Sequence, residues 1–286
     1  MREILGVIGG SGIYDIPGLE RLGEERVETP WGPPSDAIAR GRIGDQELLF
    51  LPRHGRGHRI APHEIDARAN VCALKKLGAT AIVSLSAVGS MKEAIHPGDV
   101  VVVDQYIDLT KRRPSTFFEG GVVAHVSFAE PTCQLLSSAL AAAARRAGAT
   151  VHQGGTYVCM EGPQFSTRAE SLLYRSWGVD VIGMTAMPEA KLAREAELPY
   201  ATLALATDYD CWHEEEQPVT VEAVLAIVHA NAERARATVR ELAGAVPDLS
   251  ASPARSALAS AVMTAADARA PAALARLDWL LARRDA

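Results

Sequence analysis

Runs of β-branched and apolar residues alternate with helical patterns along most of this chain, and this alternation constrains the fold more than any other feature. Six runs are predicted to be strands: Ile4 to Ile8, Glu47 to Leu51, Ala81 to Leu85, Asp99 to Tyr106, Val179 to Met184 and Tyr200 to Ala206. Five segments have apolar residues at helical spacing: Ala67 to Leu77, Thr132 to Ala147, Arg168 to Trp177, Pro188 to Ala196 and Val221 to Leu242. Such alternation predicts an α/β sheet with helices on both faces.

Residues 1–246 are predicted to form one domain, because no linker rich in proline, glycine or serine and no internal repeat divides them. Of the 286 residues, 48% are apolar, which is enough for a sizeable core. Residues 247–286 are rich in alanine, leucine and arginine, and this extension is predicted to be helical. It fits a docked appendix, an oligomer contact or a partly frayed end.

Charge and composition favour small-molecule chemistry in the cytoplasm. The net charge of -6 leaves no positive stripe along which a phosphodiester backbone could bind, so nucleic acid is not an expected partner. The first apolar run is too short for a signal peptide, and no stretch reaches the roughly 18 apolar residues of a membrane span. We therefore expect a cytoplasmic location and no membrane association.

No metal site is predicted. The four cysteines form no C-x-x-C pair, which argues against a zinc ribbon, a thioredoxin-like motif or a disulfide framework. We expect four reduced, mostly buried thiols. His54 and His58 would point in one direction on a helix, but Gly55 and Gly57 disfavour a helix there.

Three polar segments follow predicted strands. Gly9 to Gly12 reads Gly-Gly-Ser-Gly, where glycines allow close backbone approach and Ser11 adds a hydroxyl. Arg53 and His54 can both donate to a dianion, and Ser84 to Ser90 ends a strand with small and hydroxyl residues. Because ligands bind at the carboxyl ends of strands in open α/β sheets, the three segments predict one phosphate site. The alternatives are unrelated polar strand exits and, for the first segment, an ordinary tight turn.

Two further strand ends carry side chains suited to a base and a sugar. Thr156 to Ser166 predicts a strand and a Gly-Pro turn that presents Phe165 and Ser166. Phe165 either stacks on a planar base or packs in the core, and the sequence gives both equal weight. Met184 and Thr185 could pack on a sugar and donate to an anion, or could form an ordinary strand end.

Two carboxylates one residue apart, Asp208 and Asp210, directly follow the apolar run Tyr200 to Ala206. Side chains alternate along a strand, so both would face the same edge of a ligand if the strand continues. Paired carboxylates suit proton donation and recognition of an amine. The alternative is a solvated loop that carries two acids.

Ordered motifs extend this pattern over about Ile4 to Val246. They are Ile8 to Gly12, Glu28 to Gly32 with Pro34 to Asp36, Arg53 to Gly55, Ser86 to Ser90, Pro97 to Asp99, Glu161 to Pro163, Gly183 to Thr185 and Thr207 to Trp212. In this order they resemble the trimeric purine nucleoside phosphorylase family, in particular its S-methyl-5′-thioadenosine phosphorylase branch. Chance recurrence of so many ordered motifs is negligible.

The resemblance implies a single domain with a mixed, distorted central sheet flanked by helices, followed by a helical extension. It implies phosphorolysis of S-methyl-5′-thioadenosine to adenine and S-methyl-5-thioribose 1-phosphate, in a homotrimer whose active site lies near a subunit boundary. The partners would be a nucleoside and inorganic phosphate, the latter a co-substrate. No cofactor is implied.

The resemblance also assigns site residues. Those for phosphate are Ser11, Arg53, His54, Ser86, Ala87 and Thr185. Those for the nucleoside are Met184 at the sugar, with Phe165, Ser166, Asp208, Tyr209 and Asp210 at the base. Those for the 5′-methylthio group are Val221, Val224 and Leu225, and His125 would come from a neighbouring subunit. Ser11 and Ser86 replace common threonines of the family and keep the hydroxyl, whereas the tail from about Ala251 matches no motif.

Adenine leaves poorly as an anion, so the mechanism requires an acid near N7. Asp208 is the candidate, and a water-poor pocket beside Asp210 would raise its pKa through burial and like-charge repulsion. One alternative is a related phosphorylase for 6-oxopurine nucleosides or methylthioinosine, whose members usually carry asparagine at the first aspartate. A dinucleotide-binding oxidoreductase is a further alternative, although the glycine spacing does not fit it.

Overall fold

The computed structural model describes residues 3–10, 15–213 and 221–281, with 221–226 described by backbone alone. Within them lie eleven strands: β1 (Ile4–Gly9), β2 (Glu20–Glu25), β3 (Ile38–Ile43), β4 (Gln46–Pro52), β5 (Ala81–Ser90), β6 (Val100–Val103), β7 (Gln105–Asp108), β8 (Val151–Gln153), β9 (Thr156–Cys159), β10 (Val181–Gly183) and β11 (Tyr200–Tyr209). The same residues hold six α-helices: α1 (Ala67–Lys76), α2 (Gln134–Arg146), α3 (Arg168–Ser176), α4 (Glu189–Glu195), α5 (Val221–Ala243) and α6 (Pro271–Leu281). None of these helices is long and apolar enough to cross a bilayer.

The predicted strands and helices occur in the predicted order, but β2, β3 and β8 are not among the predicted strands, and two predicted boundaries are wrong. The predicted strand over 99–106 is divided at Asp104 into β6 and β7. The Asp104 amide donates to the Gly155 carbonyl at 3.1 Å, and its carboxylate accepts from the Gly155 amide at 3.0 Å. These bonds tie the chain to the turn between β8 and β9. The predicted start of α2 at Thr132 is also wrong, because the helix begins at Gln134 after Cys133.

The central strand β5 has different neighbours along its length. On one edge, β1 pairs in parallel with its first half and β10 pairs antiparallel with its last two residues. On the other edge, β11 pairs in parallel along nearly its whole length, followed by β6 and β8. Because β7 follows β6 directly and pairs with β9, which pairs with β10, the pairings close into a ring. The expected mixed, distorted sheet is therefore confirmed.

Side chains of the central strands alternate between two apolar layers. Leu5 and Val7 of β1 lie in one layer with buried residues of α2 and α5, such as Leu140 and Val239. Ile8 lies in the other layer, which includes buried residues of α1, α4 and α6. Helices therefore cover both faces of the sheet, as the alternating pattern predicts.

The extension after residue 246 is docked against the rest of the chain. Leu258, Leu277 and Leu280 are buried in the same core cluster as β1 and α1. The indole of Trp279 lies edge-on to Phe117, with ring centroids 5.1 Å apart. Of the three alternatives for this segment, its described part is a docked helical appendix, because it buries apolar side chains in the common core.

Candidate active site

The site is built where parallel strands end. The parallel strands β4, β1, β5 and β11 bring their carboxyl ends to one edge of the sheet. At that edge the Arg53 amide donates to the carbonyl of Gly9 at 2.8 Å, which holds the ends of β1 and β4 together. Ser11, expected beside them, lies outside the described residues. This edge is where ligands bind in open α/β sheets.

Arg53 is 2% exposed and lies beneath this edge. Its Nε and Nη2 donate to the two carboxylate oxygens of Glu189 at 3.0 and 3.1 Å. Nη2 also donates to Ser84 Oγ at 2.6 Å, and Nη1 donates to the Leu85 carbonyl at 3.1 Å. Burial by itself lowers the pKa of Arg53, but the charge and hydrogen bonds of Glu189 raise it above its ordinary value. Since four of the five guanidinium N–H groups have partners here, one Nη1–H remains for a ligand.

His54 lies next to Arg53 and is almost fully buried. Its Nδ1 is 2.9 Å from the Ile60 carbonyl, which can only accept, so Nδ1 carries the proton. Burial, together with the nearby charges of Arg53 and His58, lowers the pKa of His54 to about 4. The ring is therefore neutral near pH 7. In that state Nε2 accepts a hydrogen bond, which differs from the expected second donor to a dianion.

Three hydroxyls meet between β5, β9 and the segment after β10. Ser86 Oγ is 2.8 Å from Thr185 Oγ1 and 3.1 Å from the Tyr157 hydroxyl. Burial raises the pKa of Tyr157, so its hydroxyl stays protonated. Because two contacts use two of the three protons, this cluster can offer one proton to an anion. Ala87, the next residue of β5, is exposed.

Arg113 fixes the two segments that carry the nucleoside residues. Its guanidinium is almost fully buried and donates to the carbonyls of Met184 at 2.6 Å and Met187 at 2.9 Å after β10. It also donates to the carbonyls of Met160 and Glu161 after β9. The position of Met184 relative to the Gly-Pro turn is therefore set by one buried cation.

Phe165 is 84% exposed, which excludes the core alternative for this ring. The neighbouring Ser166 hydroxyl donates to Asp210 Oδ2 at 2.8 Å. The turn after β9 therefore presents an aromatic face and a fixed carboxylate close together, as a planar base with an amine would require.

A cavity of about 930 Å³ adjoins this turn. Phe165, Met160, Gly162, Lys111 and Trp177 are among the residues that line it. Among the described phosphate residues, Arg53, His54, Ser86, Ala87 and Thr185, none lines this cavity, so it lies beside this part of the site.

Asp208 and Asp210 lie on the same side of the sheet end, as the alternation predicts. A Cβ atom added to Gly89 would come within 3.2 Å of Asp208 Oδ1 and 3.4 Å of Asp210 Cβ, so both residues lie over this glycine. Asp208 is exposed and Asp210 is half-buried. The two carboxylates therefore share one region beside the end of β5.

Tyr209 lies between the two aspartates in sequence but its side chain has other neighbours. Its hydroxyl donates to the Glu93 carbonyl at 3.2 Å, and its ring stacks on His213 with centroids 4.4 Å apart. The edge of the Trp212 ring also contacts it, at 5.7 Å between centroids. The structure therefore does not bring the Tyr209 side chain together with the base residues.

Of the residues expected at the 5′ group, His125 has a described side chain. Val221, Val224 and Leu225 belong to the first turns of α5, and their side chains lie outside the described residues. His125 is exposed, and its amide donates to the Ala261 carbonyl at 2.8 Å, so the tail helps to position it.

Four residues that the sequence interpretation missed have clear places at the site: Glu189, Arg113, Tyr157 and Thr207. Each forms a hydrogen bond with a predicted residue: Glu189 with Arg53, Arg113 with Met184, Tyr157 with Ser86 and Thr207 with Asp208. Their partners are distant in sequence except for Thr207, so no local spacing indicates them. In the part of the chain that is described, no cluster of three or more histidine, cysteine, aspartate or glutamate side chains could hold a metal ion.

Comparison with known proteins identifies the family. A model of the phosphorylase superfamily matches residues 4–244. The S-methyl-5′-thioadenosine phosphorylase of Geobacter sulfurreducens is 53% identical over 282 residues, which cover 98% of this chain and 99% of that protein. The enzyme of the same name from Cereibacter sphaeroides is 54% identical and covers 99% of both chains. Because these alignments include the tail, the expectation that the tail from about Ala251 has no counterpart is wrong.

Solved structures agree. A methylthioadenosine phosphorylase from an Antarctic soil metagenomic library superposes with a TM-score of 0.92 at 46% identity, covering 98% of this chain and 99% of that chain. A point mutant of adenosine/methylthioadenosine phosphorylase from Schistosoma mansoni, in complex with methylthioadenosine, gives 0.81 at 38% identity, covering 87% of this chain and 94% of that one. The dinucleotide-binding alternative is thereby removed. The chain belongs to the phosphorylase superfamily and, within it, to the S-methyl-5′-thioadenosine phosphorylases.

Proposed function

We propose that this enzyme uses inorganic phosphate to cleave S-methyl-5′-thioadenosine into adenine and S-methyl-5-thioribose 1-phosphate. One observation carries the proposal. Ser86 of β5 contacts Thr185, which follows the neighbouring strand β10, whereas Asp208 and Asp210 lie on the other side of β5, at the end of β11. A sugar between them would have an anion site on one face and a proton donor on the base.

Phosphate binding would rest on hydroxyl and amide donors more than on a free cation. Arg53 is paired with Glu189, so its charge is largely compensated before phosphate arrives. Its remaining Nη1–H and the hydroxyls of Ser86, Thr185 and Ser11 would supply the directed hydrogen bonds. Neutral His54 would accept the proton of hydrogen phosphate through Nε2 or, once protonated, donate to the dianion.

Asp208 would act as the acid at the base. Its proton passes to N7 as the glycosidic bond breaks, so adenine leaves as a neutral molecule. The sugar develops oxocarbenium character, which the bound phosphate stabilises from the opposite face before it attacks C1′ with inversion. Each phosphorolysis therefore transfers one proton from Asp208 to adenine, and no cofactor takes part.

Asp210 would select the base together with Asp208. Ser166 donates to one of its oxygens, which leaves the other oxygen to accept from the exocyclic amine of adenine. Phe165 would stack on the purine ring and Met184 would pack on the sugar. Val221, Val224 and Leu225 would form the apolar wall for the methylthio group.

We further propose a homotrimer in the cytoplasm. The exposed His125 would complete the nucleoside site of a neighbouring subunit. All four cysteines are free thiols in the structure, which suits a reducing compartment. Mass measurement in solution should give three chains, and a fully active monomer would contradict the assembly.

The decisive assay is release of free base from a panel of nucleosides with and without phosphate. We expect adenine release from methylthioadenosine to require phosphate and to form one sugar 1-phosphate per base. Undiminished release in phosphate-free buffer would instead show a hydrolase. A preference for inosine or methylthioinosine would favour the 6-oxopurine alternative within the same superfamily.

A further inference from the structure

Thr207 lies at an irregularity in β11 beside the candidate acid. Ala206 pairs with Val88 of β5 and Asp208 pairs with the next residue, Gly89, so Thr207 is an extra residue between them. Its hydroxyl is 3.2 Å from the Val88 carbonyl and 2.6 Å from Asp208 Oδ2. The bulge thus places one hydroxyl between a backbone acceptor and the acid.

Thr207 cannot donate a full-strength hydrogen bond to both the Val88 carbonyl and Asp208 Oδ2, because a hydroxyl has one proton. The Val88 carbonyl has no proton to give. When Asp208 is protonated on Oδ1, Oδ2 is a neutral carbonyl oxygen and Thr207 can donate mainly to the Val88 carbonyl. When Asp208 is ionised, Thr207 can instead turn its proton toward the carboxylate. Each protonation state of Asp208 therefore has a matching orientation of the same hydroxyl.

We propose that Thr207 is a positioning residue that switches its hydroxyl proton from the Val88 carbonyl to Asp208 as the acid gives up its proton. This inference rests on the proposed function. In the reaction, the proton leaves an Asp208 oxygen and forms the N–H bond at N7. The carboxylate left behind then gains the Thr207 hydrogen bond. The hydroxyl rotates but keeps its proton, so no further proton is gained or lost.

The consequence is selective stabilisation of the transition state. The hydrogen bond from Thr207 strengthens as negative charge develops on Asp208, and it is weak while the acid is neutral. A contact of this kind accelerates the chemical step and contributes little to binding of the nucleoside. The partner carboxylate, Asp210, has its own fixed donor in Ser166, so the two acids have separate hydroxyl partners.

A double-mutant cycle tests this role on the full-length enzyme with methylthioadenosine and phosphate. Thr207→Val keeps the shape of the side chain and removes the hydroxyl. It should lower kcat roughly 10- to 100-fold, as expected for loss of a hydrogen bond to a charged group, with KM within about twofold. Thr207→Ser keeps the hydroxyl and should stay within about threefold of wild type.

The same change in an Asp208→Asn background should cost less than about twofold, because the acid served by Thr207 is already absent. An equal loss in both backgrounds would assign Thr207 a merely structural role and overturn the inference, as would an unchanged kcat in Thr207→Val. If Thr207→Val unfolds early, Thr207→Ala provides the hydroxyl-free member of the cycle. A wild-type enzyme unable to cleave methylthioadenosine would overturn the proposed function, and this inference with it.

Discussion

Arg53 and Glu189 form a buried bidentate ion pair in which Nε and Nη2 of the guanidinium donate to both carboxylate oxygens at 3.0 and 3.1 Å. Both side chains are 3% exposed. Glu189 also accepts from the Tyr200 hydroxyl at 2.9 Å. The pair therefore fixes the orientation of the guanidinium, and phosphate would approach a cation whose charge is already compensated by Glu189.

Glu189→Gln should leave Arg53 as an uncompensated buried charge. Loss of one partner of such a pair costs about 3–5 kcal/mol of the free energy of unfolding. Phosphate is an anion that can compensate the charge, so saturating phosphate should raise Tm more in the variant than in wild type. Thermal unfolding with and without phosphate measures both effects.

Glu195→Gln is the matched control, because Glu195 is also buried but accepts from Thr116 and the Phe117 amide, and the hydrogen bonds described for it include none to Arg53. This variant should lose stability without any increase in the phosphate-induced rise of Tm. Equal phosphate-induced rises of Tm in Glu189→Gln and wild type would show that phosphate does not compensate the charge of Arg53.

His54 should make stability depend on pH. The fold lowers the pKa of His54 from 6.5 to about 4, so between these values the unfolded chain binds more protons than the folded protein. The free energy of unfolding should therefore fall as pH decreases from about 6.5 to 4, by on the order of 1–3 kcal/mol. Chemical denaturation of phosphate-free enzyme across this range measures the slope.

His54→Gln should flatten that slope, since glutamine does not titrate. The exposed His63 provides the control, and His63→Gln should keep the wild-type slope. An unchanged slope in His54→Gln would mean that other groups cause the pH dependence.

Gly183 should tolerate no side chain, because a Cβ there would lie 2.0 Å from the Tyr157 hydroxyl. Gly183→Ala would displace the tyrosine and with it the contact to Ser86. We expect kcat/KM for phosphate to fall by about tenfold or more, in line with the loss of one well-placed donor. Adding Tyr157→Phe in the same chain should not restore activity, because ring carbon Cζ would still lie 2.7 Å from the added Cβ and the hydroxyl that contacts Ser86 would be absent.

Gly41→Ala is a suitable control for general stability effects. Its added Cβ would meet the flexible end of Leu19 at 2.7 Å, away from the residues of the site. In this variant kcat/KM for phosphate should stay within about twofold of the wild-type value. A comparable loss of activity in both glycine variants would show that the loss in Gly183→Ala does not come from the hydroxyl cluster.

Local sequence pattern was sufficient for features that depend on neighbouring residues. The buried strand ending at Asp208 and Asp210 follows from an apolar run, and alternation places both acids on one side. The ring of strands could not be predicted, because it depends on Asp104 turning the chain from one edge to another. Glu189 likewise has no sequence signal, since its role depends on Arg53, 136 residues away.

Asp208 should set both the rate and the choice of base. Asp208→Asn removes the proton donor, so kcat/KM for methylthioadenosine should fall roughly 100-fold or more. Hypoxanthine presents O6, an acceptor, where adenine has its amine. The ionised carboxylate of Asp210 has no proton to share with O6, whereas an asparagine amide at position 208 can turn and donate to it. The ratio of efficiencies should therefore shift toward methylthioinosine.

The measurement compares kcat/KM for methylthioadenosine and methylthioinosine in wild type, Asp208→Asn and Ser166→Ala. Ser166→Ala removes the donor to Asp210 but leaves the Asp208 carboxyl in place. If the ratio of the two kcat/KM values changes in Ser166→Ala but not in Asp208→Asn, base selection lies with Ser166 and Asp210. A shift in Asp208→Asn alone assigns the choice to position 208, because only the change from carboxyl to amide there has then altered the discrimination between the two bases.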